Sequence, residues 1–140
     1  MGAIEEGYDL IVVNYANPDM VGHSGNLNAA IRACEAVDEG LGRILEASAD
    51  TDATVLITAD HGNCEVMADP RTGDPHTAHT INPVPLCLVN GPKHAQLKAS
   101  GRLADIAPTL LELLGVGQPA EMTGNSLFDF VRPNRDGTSS

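Results

Sequence analysis

Carboxylate and imidazole side chains are concentrated in three short segments of this sequence. A mixed set of oxygen and nitrogen donors suits Mn²⁺, Zn²⁺, Fe²⁺ or Co²⁺. Two such ions held about 3.5–4 Å apart can clamp the attacking and leaving oxygens of a displacement at phosphorus. The donors therefore predict a metal-dependent phosphoryl or sulfuryl transfer. They are Asp19 and His23 in the first segment, Asp60 and His61 in the second, and His76 and His79 in the third.

Several of these residue types also have ordinary structural explanations. An isolated Asp-His pair is more often a surface or capping pair than a metal site, and its position after a buried strand is what favours the metal. The spacing of His76 and His79 leaves open which of them is a ligand and which is a solvated or supporting residue. His94 follows Lys93 in a polar segment and is predicted to be solvated, and Cys64 is predicted to be a small packing residue.

The elements that must position the donors follow from the hydrophobic pattern. Residues 8–16 and 54–59 are predicted strands, and the apolar run 10–13 indicates a strand buried on both faces and parallel to its neighbours. Between them, apolar residues three or four positions apart predict an amphipathic helix over residues 26–47. Strand, helix and strand would form a right-handed βαβ unit, with two donor segments at one edge of its sheet.

Loops are predicted for both donor segments at this edge. Pro18, Gly22 and Gly25 argue against a helix in the first segment. The four-residue spacing of Asp19 and His23 is therefore not expected to reflect one helical face. In the second segment the chain must turn directly after the strand, because adjacent side chains of a regular strand point to opposite faces.

The later part of the sequence predicts shorter elements and a second helix. Asp105 is the predicted N-cap of a helix that runs through Leu114, and Gly115 occupies the position where a C′ glycine belongs. The other predictions are a short strand at 64–67, a strand at 86–89, a loop at 91–101 and a disordered tail at 132–140.

Charge and composition exclude several classes of partner. The 140-residue chain has a formal net charge of -11. Nucleic acid and anionic membranes both require a basic patch and are therefore not expected as partners. No apolar run approaches the roughly 18 residues of a membrane span and the first residues lack a signal-peptide pattern, so a cytoplasmic protein is predicted. The cysteines form no Cys-x-x-Cys pair and are predicted to be reduced.

Five motifs occur in a defined order along the chain. They are residues 17–25 (NPDMVGHSG), 57–63 (ITADHGN), 76–85 (HTAHTINPVP), 103–109 (LADIAPT) and 122–127 (MTGNSL). In this order they resemble the C-terminal part of the cofactor-independent phosphoglycerate mutases, which belong to the alkaline phosphatase superfamily. The resemblance implies an α/β fold, in which residues 1–131 are the C-terminal portion of an alkaline-phosphatase-like three-layer α/β/α sandwich.

The same resemblance implies an activity and its cofactors. The family interconverts 3-phosphoglycerate and 2-phosphoglycerate in glycolysis through a phosphoserine, with two Mn²⁺ ions, for which Co²⁺ or Zn²⁺ is possible. By resemblance, Asp19, His23 and His79 match the three ligands of one ion. Asp60 and His61 match two ligands of the other ion.

The resemblance also implies parts that this sequence does not contain. In the family, a nucleophilic serine, an Asp ligand and an inserted phosphotransferase domain precede the matching part. We therefore expect no catalytic nucleophile in this chain, and metal binding without mutase activity by the chain alone. The implied partners are phosphoglycerate and the missing N-terminal part of the same domain. Ser24 stands where threonine is usual, which is expected to affect loop packing but not the ligand set.

Two alternatives remain open at this level. One is another alkaline-phosphatase-like enzyme, such as a phosphopentomutase or a phosphatase. The other is a non-catalytic metal-binding module or one half of a split enzyme. Two helices are too few to cover both faces of the predicted sheet, so the chain alone is expected to aggregate or to bind its missing part.

Overall fold

The computed structural model describes residues 2–130. These residues fall into two compact units, one that ends at Asn90 and one that begins at Gly91. The first unit contains helices α1 (Gly2–Glu5), α2 (Asn17–Gly22) and α3 (Leu27–Ser48) and strands β1 (Val55–Thr58) and β2 (Leu86–Val89). The second contains β3 (Ala95–Leu97), a 3-10 turn (Leu103–Asp105), α4 (Ile106–Leu113) and β4 (Phe128–Phe130).

Helix α3 confirms the amphipathic helix that the sequence predicts. It begins after Asn26, whose side chain accepts a hydrogen bond of 3.0 Å from the Ala29 N–H and so satisfies one of the free donors of the first turn. Ala30 and Ala33 are buried on one face. The helix packs against α2, and it is therefore the support on which the first donor segment lies.

Strands β1 and β2 confirm the predicted strands at 54–59 and 86–89. They pair with each other in an antiparallel register, with Val55 opposite Val89 and Thr58 opposite Leu86. The Thr58 hydroxyl also donates to the Pro85 carbonyl oxygen at 2.9 Å. Because β1 ends at Thr58, Asp60 and His61 follow directly from a hydrogen-bonded strand end.

The predicted strand at residues 8–16 is wrong, and so is the parallel βαβ unit built on it. These residues form neither a helix nor a strand. Leu10 is 50% exposed and Val12 is 80% exposed. A buried strand requires a hydrogen-bonded neighbour and cover on both faces, and no strand among residues 2–130 pairs with this segment. The predicted short strand at 64–67 is also wrong, since these residues form a turn and an irregular segment.

The first donor segment is helical, contrary to the prediction of a loop. Helix α2 covers residues Asn17–Gly22, with Pro18 in its first turn, where a missing N–H removes no hydrogen bond. Gly22 is its last residue, and Gly25, with φ of +66°, lies beyond its end. Pro18, Gly22 and Gly25 thus mark the start and the end of the helix rather than preventing it. The four-residue spacing of Asp19 and His23 does reflect one helical face.

In the second unit the predicted helix is present and ends as expected. Gly115 has φ of +67°, and its N–H donates to the Glu112 carbonyl at 3.2 Å. The Val116 N–H donates to the Leu111 carbonyl at 2.9 Å, which completes a Schellman motif. Asp105 occupies the N-cap position of α4, but its carboxylate caps nothing in α4. It accepts instead from the N–H groups of Arg102 at 2.8 Å and Asn125 at 2.9 Å.

Two strands of this unit lie outside the sequence predictions. Strand β3 occupies the predicted loop at 91–101 and pairs antiparallel with β4. Phe128, the first residue of β4, and Leu127 directly before it are buried. The predicted tail at 132–140 lies outside the described residues. Among the helices described, none combines the length and the apolar character needed to cross a membrane.

Candidate metal centre

Helix α2 brings the first two donors together. Asp19 lies in its first turn and His23 is its C-cap residue, so the two side chains are one helical turn apart. His23 Nε2 lies 3.3 Å from Asp19 Oδ1. The His23 backbone N–H donates to the Asp19 carbonyl at 3.3 Å, which holds the end of the helix closed.

The third donor, His79, lies on the extended segment that follows the turn at residues 69–74. The Thr80 N–H donates to the Gly62 carbonyl at 2.8 Å and joins this segment to the turn after β1. His79 Nε2 then lies 2.9 Å from Asp19 Oδ1. It also lies 3.2 Å from His23 Nε2. The three donor atoms are all within 4.8 Å of one another.

The protonation pattern of this group favours a cation among the three donors. His23 Nδ1 lies 2.7 Å from the Thr77 carbonyl oxygen, which can only accept, so Nδ1 carries the proton. In the neutral ring, Nε2 therefore presents a lone pair to His79 and Asp19. Ligand atoms around an ion with bonds of about 2.0–2.2 Å lie about 3–3.5 Å apart. The separations of 2.9, 3.2 and 3.3 Å fit a divalent ion.

The second predicted pair, Asp60 and His61, lies close to the group of Asp19, His23 and His79, but the two residues do not both belong to it. The His61 ring stacks on the His79 ring, with a centroid distance of 3.7 Å. His61 Nε2 lies 3.9 Å from Asp19 Oδ1 and 3.7 Å from Asp60 Oδ1. The Asp60 side chain is 77% exposed. The structure thus places His61 at the edge of the three-donor group and Asp60 on its outer, solvent-accessible side.

Asn63 forms a hydrogen bond with the Asp19 carboxylate, beside which the imidazoles of His23 and His79 lie. Its Nδ2 donates to Asp19 Oδ1 at 2.8 Å, and its side chain is buried. This hydrogen bond is the main cause that lowers the pKa of Asp19, to which the charge of His23 adds. Gly22 makes room for the amide, because a Cβ at this position would lie 2.2 Å from Asn63 Oδ1. Glycine is therefore required for the close approach of α2 to the turn after β1.

A family model described as the metalloenzyme superfamily matches residues 1–118. The chain belongs to this superfamily. It is 68% identical over 127 residues to a 2,3-bisphosphoglycerate-independent phosphoglycerate mutase of Cereibacter sphaeroides, and this match covers 91% of the chain and 25% of that relative. The corresponding mutase of Roseobacter denitrificans is 64% identical, with coverage of 91% of the chain and 25% of the relative.

A solved structure of a metalloenzyme relative agrees with the fold. The chain superposes on Leishmania mexicana phosphoglycerate mutase, determined at low cobalt concentration, with a TM-score of 0.82 and 31% identity. The superposition covers 93% of this chain and 27% of that one. The predicted resemblance and the α/β, alkaline-phosphatase-like fold class are confirmed. The chain spans about a quarter of the length of the mutases that it matches.

Within this metalloenzyme chain, the remaining predicted residues lie apart from the donor group. His76 is not a member of it, and His76 Nδ1 is buried without a hydrogen-bond partner among the described residues. His94 is exposed, as predicted. Cys64 Sγ donates to the Pro18 carbonyl at 3.0 Å beneath the first turn of α2, and burial is the main cause that raises its pKa. This contact agrees with a packing role for Cys64.

Two residues that support the donors have no role predicted from the sequence. Asn63 is one, and Glu65, which accepts hydrogen bonds from Thr80 and Asn82, is the other. Their position shortly after the Asp60-His61 pair could have indicated this role, because polar side chains in a turn can form hydrogen bonds with neighbouring segments. The role of the five predicted donors as metal ligands remains a prediction.

Proposed function

We propose that this chain is the metal-binding part of a cofactor-independent phosphoglycerate mutase. In this proposal Asp19, His23 and His79 hold one Mn²⁺ ion, and Asp60 and His61 contribute to the site of a second. The observation that carries the proposal is the meeting of Asp19 Oδ1 with two imidazole Nε2 atoms at 2.9 and 3.3 Å. The named relatives supply the reaction class.

The residues of this chain would bind and orient. His23 keeps its proton on Nδ1 through the Thr77 carbonyl and offers Nε2 to the ion. Asn63 holds Asp19 ionised and aimed at the imidazoles. When bound, divalent ions activate a nucleophile and neutralise charge on a transferring phosphoryl group. Co²⁺ and Zn²⁺ suit the same donors, so Mn²⁺ is the proposed cellular ion rather than the one ion that fits.

The substrates in this proposal are 3-phosphoglycerate and 2-phosphoglycerate, interconverted in glycolysis in the cytoplasm. We assign no catalytic nucleophile to this chain. In the proposed enzyme the phosphorylated serine belongs to the remaining three quarters or so of the relatives' length. The chain alone is therefore expected to bind metal without interconverting the phosphoglycerates.

The partner in this proposal is the rest of the same enzyme. Residues 8–16 provide the supporting observation, because six of their large apolar or aromatic side chains are exposed in the described chain. A cluster of exposed large apolar side chains is typical of a surface that another polypeptide covers. The exposed apolar side chains of this segment are Tyr8, Leu10, Ile11, Val12, Val13 and Tyr15.

The test is Mn²⁺ binding by calorimetry at pH 7.5 on the chain alone and on three variants. We expect one site that Asp19→Ala removes and that Asp60→Ala largely preserves. Asp52→Ala is the matched control, since Asp52 is an exposed carboxylate in the turn before β1. Absence of Mn²⁺ binding by the wild-type chain, or equal binding by Asp19→Ala, would overturn the proposal that these residues form the site.

The reaction is tested by adding the rest of such a mutase as a separate polypeptide. We expect phosphoglycerate interconversion only when both polypeptides are present, and its loss with Asp19→Ala. Activity with phosphopentoses but not phosphoglycerates would instead support the alternative phosphotransferase.

A further inference from the structure

Glu65 joins the two chain segments that carry the stacked imidazoles. Its Oε1 accepts hydrogen bonds from the Thr80 hydroxyl and, at 2.9 Å, from Asn82 Nδ2. The Thr80 hydroxyl in turn accepts from the Asn82 N–H at 3.3 Å. Together with the bond of 2.8 Å from the Thr80 N–H to the Gly62 carbonyl, these contacts attach residues 80–82 to residues 62–65.

These contacts lie next to both histidines. His61 directly precedes Gly62 and His79 directly precedes Thr80, and their rings stack at 3.7 Å. Gly62 is packed tightly here, because a Cβ at this position would lie 2.3 Å from both Glu65 Oε1 and the Thr80 hydroxyl oxygen. The contacts of Glu65 therefore lie at the residues that directly follow His61 and His79, where they can fix the position of the His79 ring over the His61 ring.

The carboxylate is ionised at neutral pH. The Thr80 hydroxyl is the main cause that lowers the pKa of Glu65 to about 2, and Asn82 adds to the shift. Hydrogen bonds to an ionised acceptor are stronger than those between neutral groups. Glu65 is not a member of the donor group that Asp19, His23 and His79 form. Glu65 therefore acts through its hydrogen bonds to Thr80 and Asn82 and does not offer a ligand.

We infer that Glu65 is a positioning residue that raises the metal affinity of the site by holding His79 against His61 through Thr80 and Asn82. The inference rests on the proposed function, because it takes Asp19, His23 and His79 to be the metal ligands. It separates the ligands into two sets. Asp19 and His23 belong to helix α2 and its C-cap, whereas His79 lies on the extended segment that Glu65 contacts through Thr80 and Asn82.

The test compares Mn²⁺ affinity at pH 7.5 for the wild-type chain, Glu65→Ala and Glu65→Gln. Partners that orient metal ligands typically contribute about 10–100-fold in affinity, and we expect a loss in this range for Glu65→Ala. Glu65→Gln retains a side-chain oxygen that accepts from Thr80 and Asn82, so its affinity is expected within a few-fold of wild type. Glu46→Ala, an exposed glutamate on α3, is the matched control and is expected to change nothing.

A double-mutant cycle separates positioning from general loss of structure. If Glu65 acts through His79, Glu65→Ala weakens binding little further once His79→Ala is present. An equal loss in both backgrounds would overturn the inference, as would an unchanged affinity in Glu65→Ala or a loss in Glu65→Gln as large as that in Glu65→Ala. Asn82→Ala removes one of the two bonds and is expected to give an intermediate loss, which provides a milder variant if Glu65→Ala does not fold.

A measurement without metal keeps this test separate from that of the proposed function. The imidazole NMR signals of His79 are expected to shift in Glu65→Ala, while those of the exposed His94 stay in place. If the wild-type chain binds no Mn²⁺, the proposed function fails while these signals still report on positioning. Unchanged His79 signals in Glu65→Ala would overturn the positioning role itself.

Discussion

The two predicted donor groups differ in how far this chain assembles them. Asp19, His23 and His79 come from two segments far apart in sequence, yet their donor atoms meet within 4.8 Å. Asp60 and His61 are adjacent in sequence, yet the carboxylate of Asp60 is 77% exposed and stays apart from the three-donor group. Both residues lie beyond the end of β1, and His61 Nε2 lies 3.7 Å from Asp60 Oδ1 but 3.9 Å from Asp19 Oδ1. Residues one helical turn apart converge, and a third donor completes the group.

The largest expected effect is the dependence of metal affinity on pH. Ligand imidazoles must be neutral to bind an ion, so metal affinity is expected to be highest at alkaline pH and to fall as protons compete for the ring nitrogens. An ordinary imidazole has a pKa of about 6.5, and proton competition at two such ligands gives an expected loss of about 1000-fold between pH 8 and pH 5.0. Asp19 adds nothing in this window, because its pKa is lowered and its carboxylate stays ionised.

Calorimetric Mn²⁺ titrations across this range check the slope. If the affinity falls as though two protons compete with one ion, the group of Asp19, His23 and His79 is supported. Competition by three protons would mean that His61 is also a ligand and that the two donor groups are one site. Circular dichroism at each pH confirms that the chain remains folded.

The next effect compares the two stacked histidines. His79→Ala removes a donor that lies 2.9 Å from Asp19 Oδ1, and we expect Mn²⁺ affinity to fall on the order of 100-fold or more, beyond the range of supporting residues. His61→Ala removes a ring whose Nε2 lies 3.9 Å from the same oxygen, and we expect a loss of only a few-fold through lost stacking. Equal losses in the two variants would show that the groups act as one site.

A smaller effect is expected where helix α2 approaches the turn after β1. Gly22→Ala would place a Cβ 2.2 Å from Asn63 Oδ1 and force the amide away from Asp19. We expect Mn²⁺ affinity to fall about tenfold, and overpacking to lower the free energy of unfolding by about 1–3 kcal/mol.

Gly42→Ala is the matched control for this substitution. Gly42 lies inside α3, and a Cβ there meets nothing within 4 Å. Alanine is favoured over glycine in a helix interior by about 0.5–1 kcal/mol, so this variant is expected to be more stable, with unchanged affinity. Denaturant unfolding and calorimetry on both variants make the comparison. An unchanged affinity in Gly22→Ala would show that Asn63 does not orient Asp19.

The sequence by itself determined the features that depend on local interactions. The amphipathic helix α3 and the Gly115 terminus of α4 were both predicted, because each depends on residues within a few positions of one another. The donor chemistry was readable for a similar reason, since residue type alone determines whether a side chain offers oxygen or nitrogen to a cation.

Tertiary structure alone decided which of these groups meet. It selected His79 rather than His76 to lie beside Asp19, and it aligned β1 and β2 antiparallel. Within residues 2–130, it also gave residues 8–16 no strand partner, despite their strong β-type pattern. In each case the deciding contact joins residues far apart in the chain, and neither periodicity nor spacing reports such contacts.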